Sequence, residues 1–91
     1  MNVLVLPSEL THAQAQACLQ MLVQGLRTQS GSSVMVDASA LQRFDSAALA
    51  VLLEFRRECL VAGKHFSIRG LSPRLADLAG LYGIVELLSA T

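Results

Sequence analysis

The chain has 91 residues, 53% of them hydrophobic, only 4% aromatic and none of them Trp, which suits a single domain over 1–91 with a core of Leu, Val and Ala. A chain this short buries only roughly 60–65% of the surface that it exposes when unfolded, so its apolar residues must be used efficiently. Seven basic and seven acidic residues give a formal net charge of zero, which argues against nucleic-acid binding, since phosphate contacts need a dense basic stripe.

Val3-Leu4-Val5-Leu6 is a short apolar run stopped by Pro7, and it reads as a buried strand. Thr11 is a candidate N-cap, with Gln14 three residues on completing a capping box. Ala15, Cys18, Leu19, Leu22, Val23 and Leu26 follow at helical spacing and form one core-facing stripe. Thr28 to Ser32 is a loop. Ser33–Asp37 is a second strand; Val34, Met35 and Val36 leave it no polar face, which predicts a central strand covered on both sides. A second helix is expected over Asp45–Ala62, ended by Gly63. Phe66 and Ile68 alternate with Ser67 and Arg69 in a third, more exposed strand. Ser72-Pro73 opens a third helix, with Leu75, Leu78, Ala79 and Tyr82 as its inner stripe and Gly83 as its end. Val85 to Leu88 is a short terminal element whose type the pattern leaves open.

The order β-α-β-α-β-α implies an α/β fold, a mostly parallel or mixed sheet with helices packed on it. Three strands make a small sheet, and a fourth is expected from the tail or from another subunit. An exposed first strand could pair with a second copy of the chain in a weak homodimer. Cys18 and Cys59 both fall inside helical patterns and read as reduced core thiols. The longest apolar run, Ala47 to Leu53, is too short to span a bilayer, so direct membrane insertion is not expected and the cytoplasm is the expected location.

The second helix carries the most information. Leu49, Leu52, Leu53 and Leu60 fall on one narrow arc, with Arg56 at its rim. The opposite arc carries Glu54, Arg57 and Glu58 near its C-terminal end, but Ala47, Ala50 and Val51 in the first two turns. Alanine is a good helix former, which is one sufficient reason for its presence. Small, uncharged residues also let another backbone approach, which makes Phe44–Val51 a candidate docking surface. Ser46 has two readings: a helix cap, or a hydroxyl where phosphate would meet the positive end of the helix. Asp45 could equally be the cap, with Ser46 the first helical residue.

This constellation resembles the STAS domain family. The family pattern is a strand ending in Asp, a short connection, then a hydrophobic residue, Asp, Ser or Thr, small residues and Leu. Here those positions are Asp37, Phe44, Asp45, Ser46, Ala47-Ala48 and Leu49, and Gly70-Leu71-Ser72-Pro73 opens the last helix as in the family. Leu78-Ala79-Gly80-Leu81-Tyr82-Gly83 is similar to the segment found in STAS subunits of Mla-type ABC transporters, which maintain outer-membrane lipid asymmetry. That resemblance implies a non-enzymatic cytoplasmic protein held at the inner membrane through its complex. It also implies docking on the transporter ATPase through Phe44, Asp45, Ser46, Ala47, Ala48, Ala50 and Val51. The phospho-regulated relatives usually carry Gly-Glu-Leu-Asp after the first strand, where this chain has Ser8-Glu9-Leu10-Thr11, and tend to have Gly where Ala48 stands.

The alternative is an anti-sigma factor antagonist phosphorylated on Ser46. An enzyme is the least supported class. His12 and His65 are too far apart in the sequence pattern to read as a metal pair, no Cys–His spacing fits zinc, and there is neither a phosphate-binding glycine loop nor a nucleophile elbow. No catalytic residue, metal or cofactor is therefore expected.

Overall fold

The computed structural model describes residues 3–88. The elements run β1 (Val3–Val5), β2 (Glu9–Leu10), α1 (Ala15–Arg27), β3 (Ser33–Asp37), β4 (Arg43–Phe44), α2 (Ser46–Val61), β5 (His65–Arg69), α3 (Pro73–Leu81) and α4 (Val85–Leu88). The main sheet is parallel with the order β1-β3-β5, so β3 is central as its apolar run implies. This is the α/β architecture expected of a small STAS-type domain.

Register partners in a parallel sheet share a face. Leu4, Val36 and Ile68 stand in one row, with Val34 beside Phe66 in the next. Of these, Val34, Val36, Phe66 and Ile68 are buried, so this is the face that meets the helices. α1 comes close enough that a Cβ at Gly25 would lie 2.7 Å from Leu4 Cδ2. The opposite face holds Val3, Met35 and Ser67, then Val5, Asp37 and Arg69. It is only partly covered: Val5 is 58% exposed and Met35 is half-buried. The expectation that β3 is covered on both sides is corrected here, since Val34 and Val36 are enclosed but Met35 looks outward. The expectation of a buried first strand is corrected too, since Val3 and Leu4 are half-buried and Val5 is exposed, and so is that of a third strand more exposed than the second, since β5 buries Phe66, Ser67 and Ile68.

The fourth strand is not supplied by the tail, which is helical over Val85–Leu88. Instead β2 and β4 form a separate parallel pair, in register Glu9↔Arg43 and Leu10↔Phe44. The pair is anchored where the amides of Gln42 and Arg43 both donate to Ser8 O.

The core of α2 is set by its larger residues. Ala48, Val51, Leu52, Phe55 and Cys59 are buried with Leu49. Phe55 meets Phe66 edge to face, with ring centroids 6.2 Å apart and planes at 74°. Leu60, expected on the inner arc, is 50% exposed, and Val51, expected to face outward, is buried. Seven consecutive apolar residues from Ala47 give the helix no phase of its own. The phase is fixed by Phe55 and Cys59, which bring Ala48, Val51 and Leu52 beneath the helix. Arg56 sits half-buried at the rim, as expected.

Cap chemistry follows the side chains. Ser72 Oγ accepts from Leu75 N at 3.2 Å and Pro73 stands at the first turn of α3. Tyr82 is the C-cap of α3 and is 60% exposed, so it leaves the inner stripe to which its spacing assigned it. The Thr11–Gln14 box forms in part: Gln14 Oε1 accepts from Thr11 N at 2.9 Å and from Thr11 Oγ1 at 2.8 Å, but the regular helix starts only at Ala15. Cys18 and Cys59 are buried and not disulfide-bonded; burial raises both thiol pKa values, that of Cys59 to about 11.

Candidate functional site

β3 ends in Asp37, whose carboxylate accepts from Ser39 N at 2.9 Å and Ser39 Oγ at 2.6 Å, and from Arg69 at 3.2 Å. The Ser39 donors, then Arg69, hold the Asp37 pKa below the usual carboxylate range. This turn leans on Gly70, which has φ +72° and would bring a Cβ within 2.8 Å of Ser39 N. Any side chain here would collide with backbone as well as strain φ. The turn therefore delivers β4 to one place, with Phe44 packed against the core.

Asp45 comes next and is the N-cap of α2. Its backbone is extended at φ −130°, and its carboxylate accepts from Ala47 N at 2.8 Å. Ser46 is thus the first helical residue, the second of the two cap arrangements open from sequence. Asp45 Oδ2 also receives His12 N at 3.2 Å and faces His12 Nδ1 at 3.3 Å. The Ala47 and His12 amides, with a smaller part from the His12 ring, lower the Asp45 pKa. One carboxylate thereby caps α2 and ties the approach to α1 beside it.

Beyond the cap, Ser46 and Ala50 are exposed while Phe44, Asp45 and Ala47 are half-buried. Ser46 makes no side-chain hydrogen bond among the described residues, so its hydroxyl is not consumed by capping. Ala48 is buried at 0% exposure, which corrects its assignment to the docking surface, whereas Val51, at 4%, still meets one of the grooves that flank the helix. Both seat the helix, and Ala48 offers no side chain to a partner. Ser46, Ala47 and Ala50 form the ridge that remains.

A groove flanks this ridge on each side. One, of about 390 Å³, lies between α1 and α2 and is lined by Ala15, Gln16, Leu19, Ala47, Ala50 and Glu54, with Val51 at its base. The other, of about 360 Å³, runs between α2 and the α3–α4 turn and is lined by Ser46, Leu49, Ala50, Leu53, Tyr82 and Ile84. Ala50 lines both. Beside the second groove Leu81, 84% exposed, and Tyr82 project from the turn. The first groove borders an α1 surface whose exposed residues, Gln16, Ala17, Gln20, Met21 and Gln24, carry no charge. Arg27 in the last turn of α1 is the first charge in that helix.

Leu19 and Tyr82 were read as core-stripe residues and not as part of a site. For Tyr82 a signal was present: it precedes Gly83, where the helix turns out of register. For Leu19 there was none, because a half-buried residue at a groove has the same spacing as a buried one. The pairing of His12 with Asp45 has no local sequence signature either. Among the described residues no group of three or more His, Cys, Asp or Glu could hold a metal, and no helix is long and apolar enough to cross a membrane. The site presents a narrow uncharged crest, two largely apolar grooves and an exposed hydroxyl.

A family model described as "Mlab, STAS domain" matches residues 2–89, nearly the whole chain. No curated protein matches it.

Proposed function

Because this chain belongs to the STAS domain family, we propose that it is a non-enzymatic docking subunit for an ATPase. The ATPase is that of an Mla-type ABC transporter, one that moves phospholipid to maintain outer-membrane lipid asymmetry. The chain sits on the cytoplasmic side, peripheral to the inner membrane through its complex. The description of the matching family model supports the transporter assignment. The observation that carries the docking assignment is the ridge of Ser46, Ala47 and Ala50 between two apolar grooves.

Large apolar side chains in well-packed pockets supply most of the energy of a protein interface. Two partner side chains, one in each groove, would straddle Ala50, whose methyl group lets the partner backbone come close. Leu19 and Tyr82 form the outer walls. Such a subunit acts by fixing the partner's conformation and assembly, and needs no reacting group of its own.

The test is affinity capture from native membranes, followed by mass spectrometry. Wild-type chain retains the ATPase. Ser46→Glu folds normally, since an acid at the first helical position is favoured by the helix dipole, and it loses the ATPase because a buried unpaired charge is costly. Undiminished capture by Ser46→Glu would remove the ridge from the interface.

A second reading rests on the exposed, unbonded hydroxyl of Ser46: an anti-sigma factor antagonist switched by phosphorylation there. Phosphate would be tolerated by the isolated helix and rejected by a tightly packed partner. Incubation with cognate kinases and ATP, then intact-mass measurement, tests it; an unchanged mass with every cognate kinase opposes it.

A further inference from the structure

Several charges near the ridge are paired within the chain, while Glu54 in the wall of the first groove makes no ion pair among the described residues. Arg43 Nε lies 4.0 Å from Glu9, Arg69 lies 3.2 Å from Asp37, and His12 faces Asp45 at 3.3 Å. Arg74 differs. Its guanidinium carbon sits 5.2 Å from the centroid of the Phe44 ring, and it makes no ion pair among the described residues. Asp77, three residues on along the same helix, makes no ion pair among the described residues either.

Its position is electrostatically unfavourable. Arg74 follows Pro73 in the first turn of α3, a turn without any acid. Helix N-termini favour anions and disfavour cations. The cation–π contact with Phe44 offsets part of that cost and holds the guanidinium over the ring. A guanidinium lying over a ring keeps its in-plane N–H donors free at the edge, where a carboxylate can accept two of them in parallel. Phe44 is the residue before the Asp45 cap, so this ordered cation stands at the border of the ridge.

We propose that Arg74 is a specificity residue of the docking surface, held by Phe44 to receive a carboxylate of the partner protein at the rim of the uncharged ridge. The inference rests on the docking reading above and adds one requirement: the partner surface facing the β4–α3 corner is acidic. A single charge at a rim contributes more to encounter and orientation than to lifetime. Arg74 therefore acts chiefly on the association rate.

The test uses the ATPase that co-purifies with the wild-type chain, immobilised, with association rates measured from low to high salt. The wild-type rate falls as salt rises. Arg74→Gln lowers the low-salt rate by about threefold to tenfold and flattens the salt dependence. Arg74→Lys keeps the charge and therefore keeps the salt dependence, with faster dissociation because the paired donors are lost. A role confined to packing on Phe44 would lower the melting temperature of Arg74→Gln and leave the salt dependence alone. Wild-type rates and salt dependence in Arg74→Gln, alongside loss of capture by Ser46→Glu, overturn this inference and spare the docking reading. Failure of wild-type chain to retain any ATPase overturns both.

Discussion

Replacing Ala50 with arginine should separate docking from folding. Ala50 is exposed on the crest of α2 and lines both grooves, so a longer side chain meets solvent in the isolated chain. Arginine is nearly as good a helix former as alanine, and surface changes of this kind stay within about 0.5 kcal/mol. For a domain of this size that shifts the melting temperature by no more than about 4 °C. In the complex the same residue would sit beneath the partner, where removing a charge from water costs several kcal/mol. A penalty of about 3 kcal/mol weakens binding by roughly 150-fold. The comparison variant is Val61→Arg, at a site 79% exposed near the far end of the same helix, roughly three turns and about 16 Å away. Titration of each variant against the purified ATPase, with melting curves in parallel, gives both quantities. The expected pattern is near-wild-type melting for both variants and weakened binding for Ala50→Arg alone. Equal binding by the two variants would refute the reasoning, because surface charge anywhere on α2 would then serve as well.

The core makes its own predictions. Phe55→Ala removes a fully buried ring and its edge-to-face contact with Phe66, and should lose about 3–5 kcal/mol in urea unfolding. Gly70→Ala should cost more than Gly63→Ala: both have positive φ, but a Cβ meets the Ser39 backbone at position 70 and nothing within 4 Å at position 63; equal losses would contradict the close approach. Stability should also fall in acid in a particular window. Asp37 and Asp45 have lowered pKa values in the folded chain, so their contribution is present above the unfolded carboxylate pKa of about 3.9 and is lost as pH falls through the folded values. Unfolding followed from pH 6 downward should show a shallower acid dependence in Asp45→Asn than in wild type.

Much of the framework was legible because several independent signals agreed at each element. Ser33–Asp37 was readable as a central strand from its unbroken apolar run, and Ser72-Pro73 as a helix start from cap and ring geometry together. Asp37, Asp45 and Ser46 were legible as a group, and their arrangement at one end of the sheet follows from the strand–turn–helix order. The failures have separate physical causes. Ala47 to Leu53 is apolar at every position, so spacing could not say which side faced the core; Val51 and Leu60 were consequently placed on the wrong sides. Tyr82 was assigned inward by extending a period past the residue where the helix stops. The β2–β4 pair has two residues in each strand, too few for any alternation, and its register is set by Ser8 hydrogen bonds that only the folded chain contains. The two grooves arise from the packing of three elements distant in sequence, so no local pattern foretells them.

Site-specific photo-crosslinking tests the location of the docking surface most directly. A photoreactive residue at position 50, activated in native membranes, should join the chain to the transporter ATPase, whereas the same group at position 61 should not. An ATPase adduct from position 61 with none from position 50 would contradict the account.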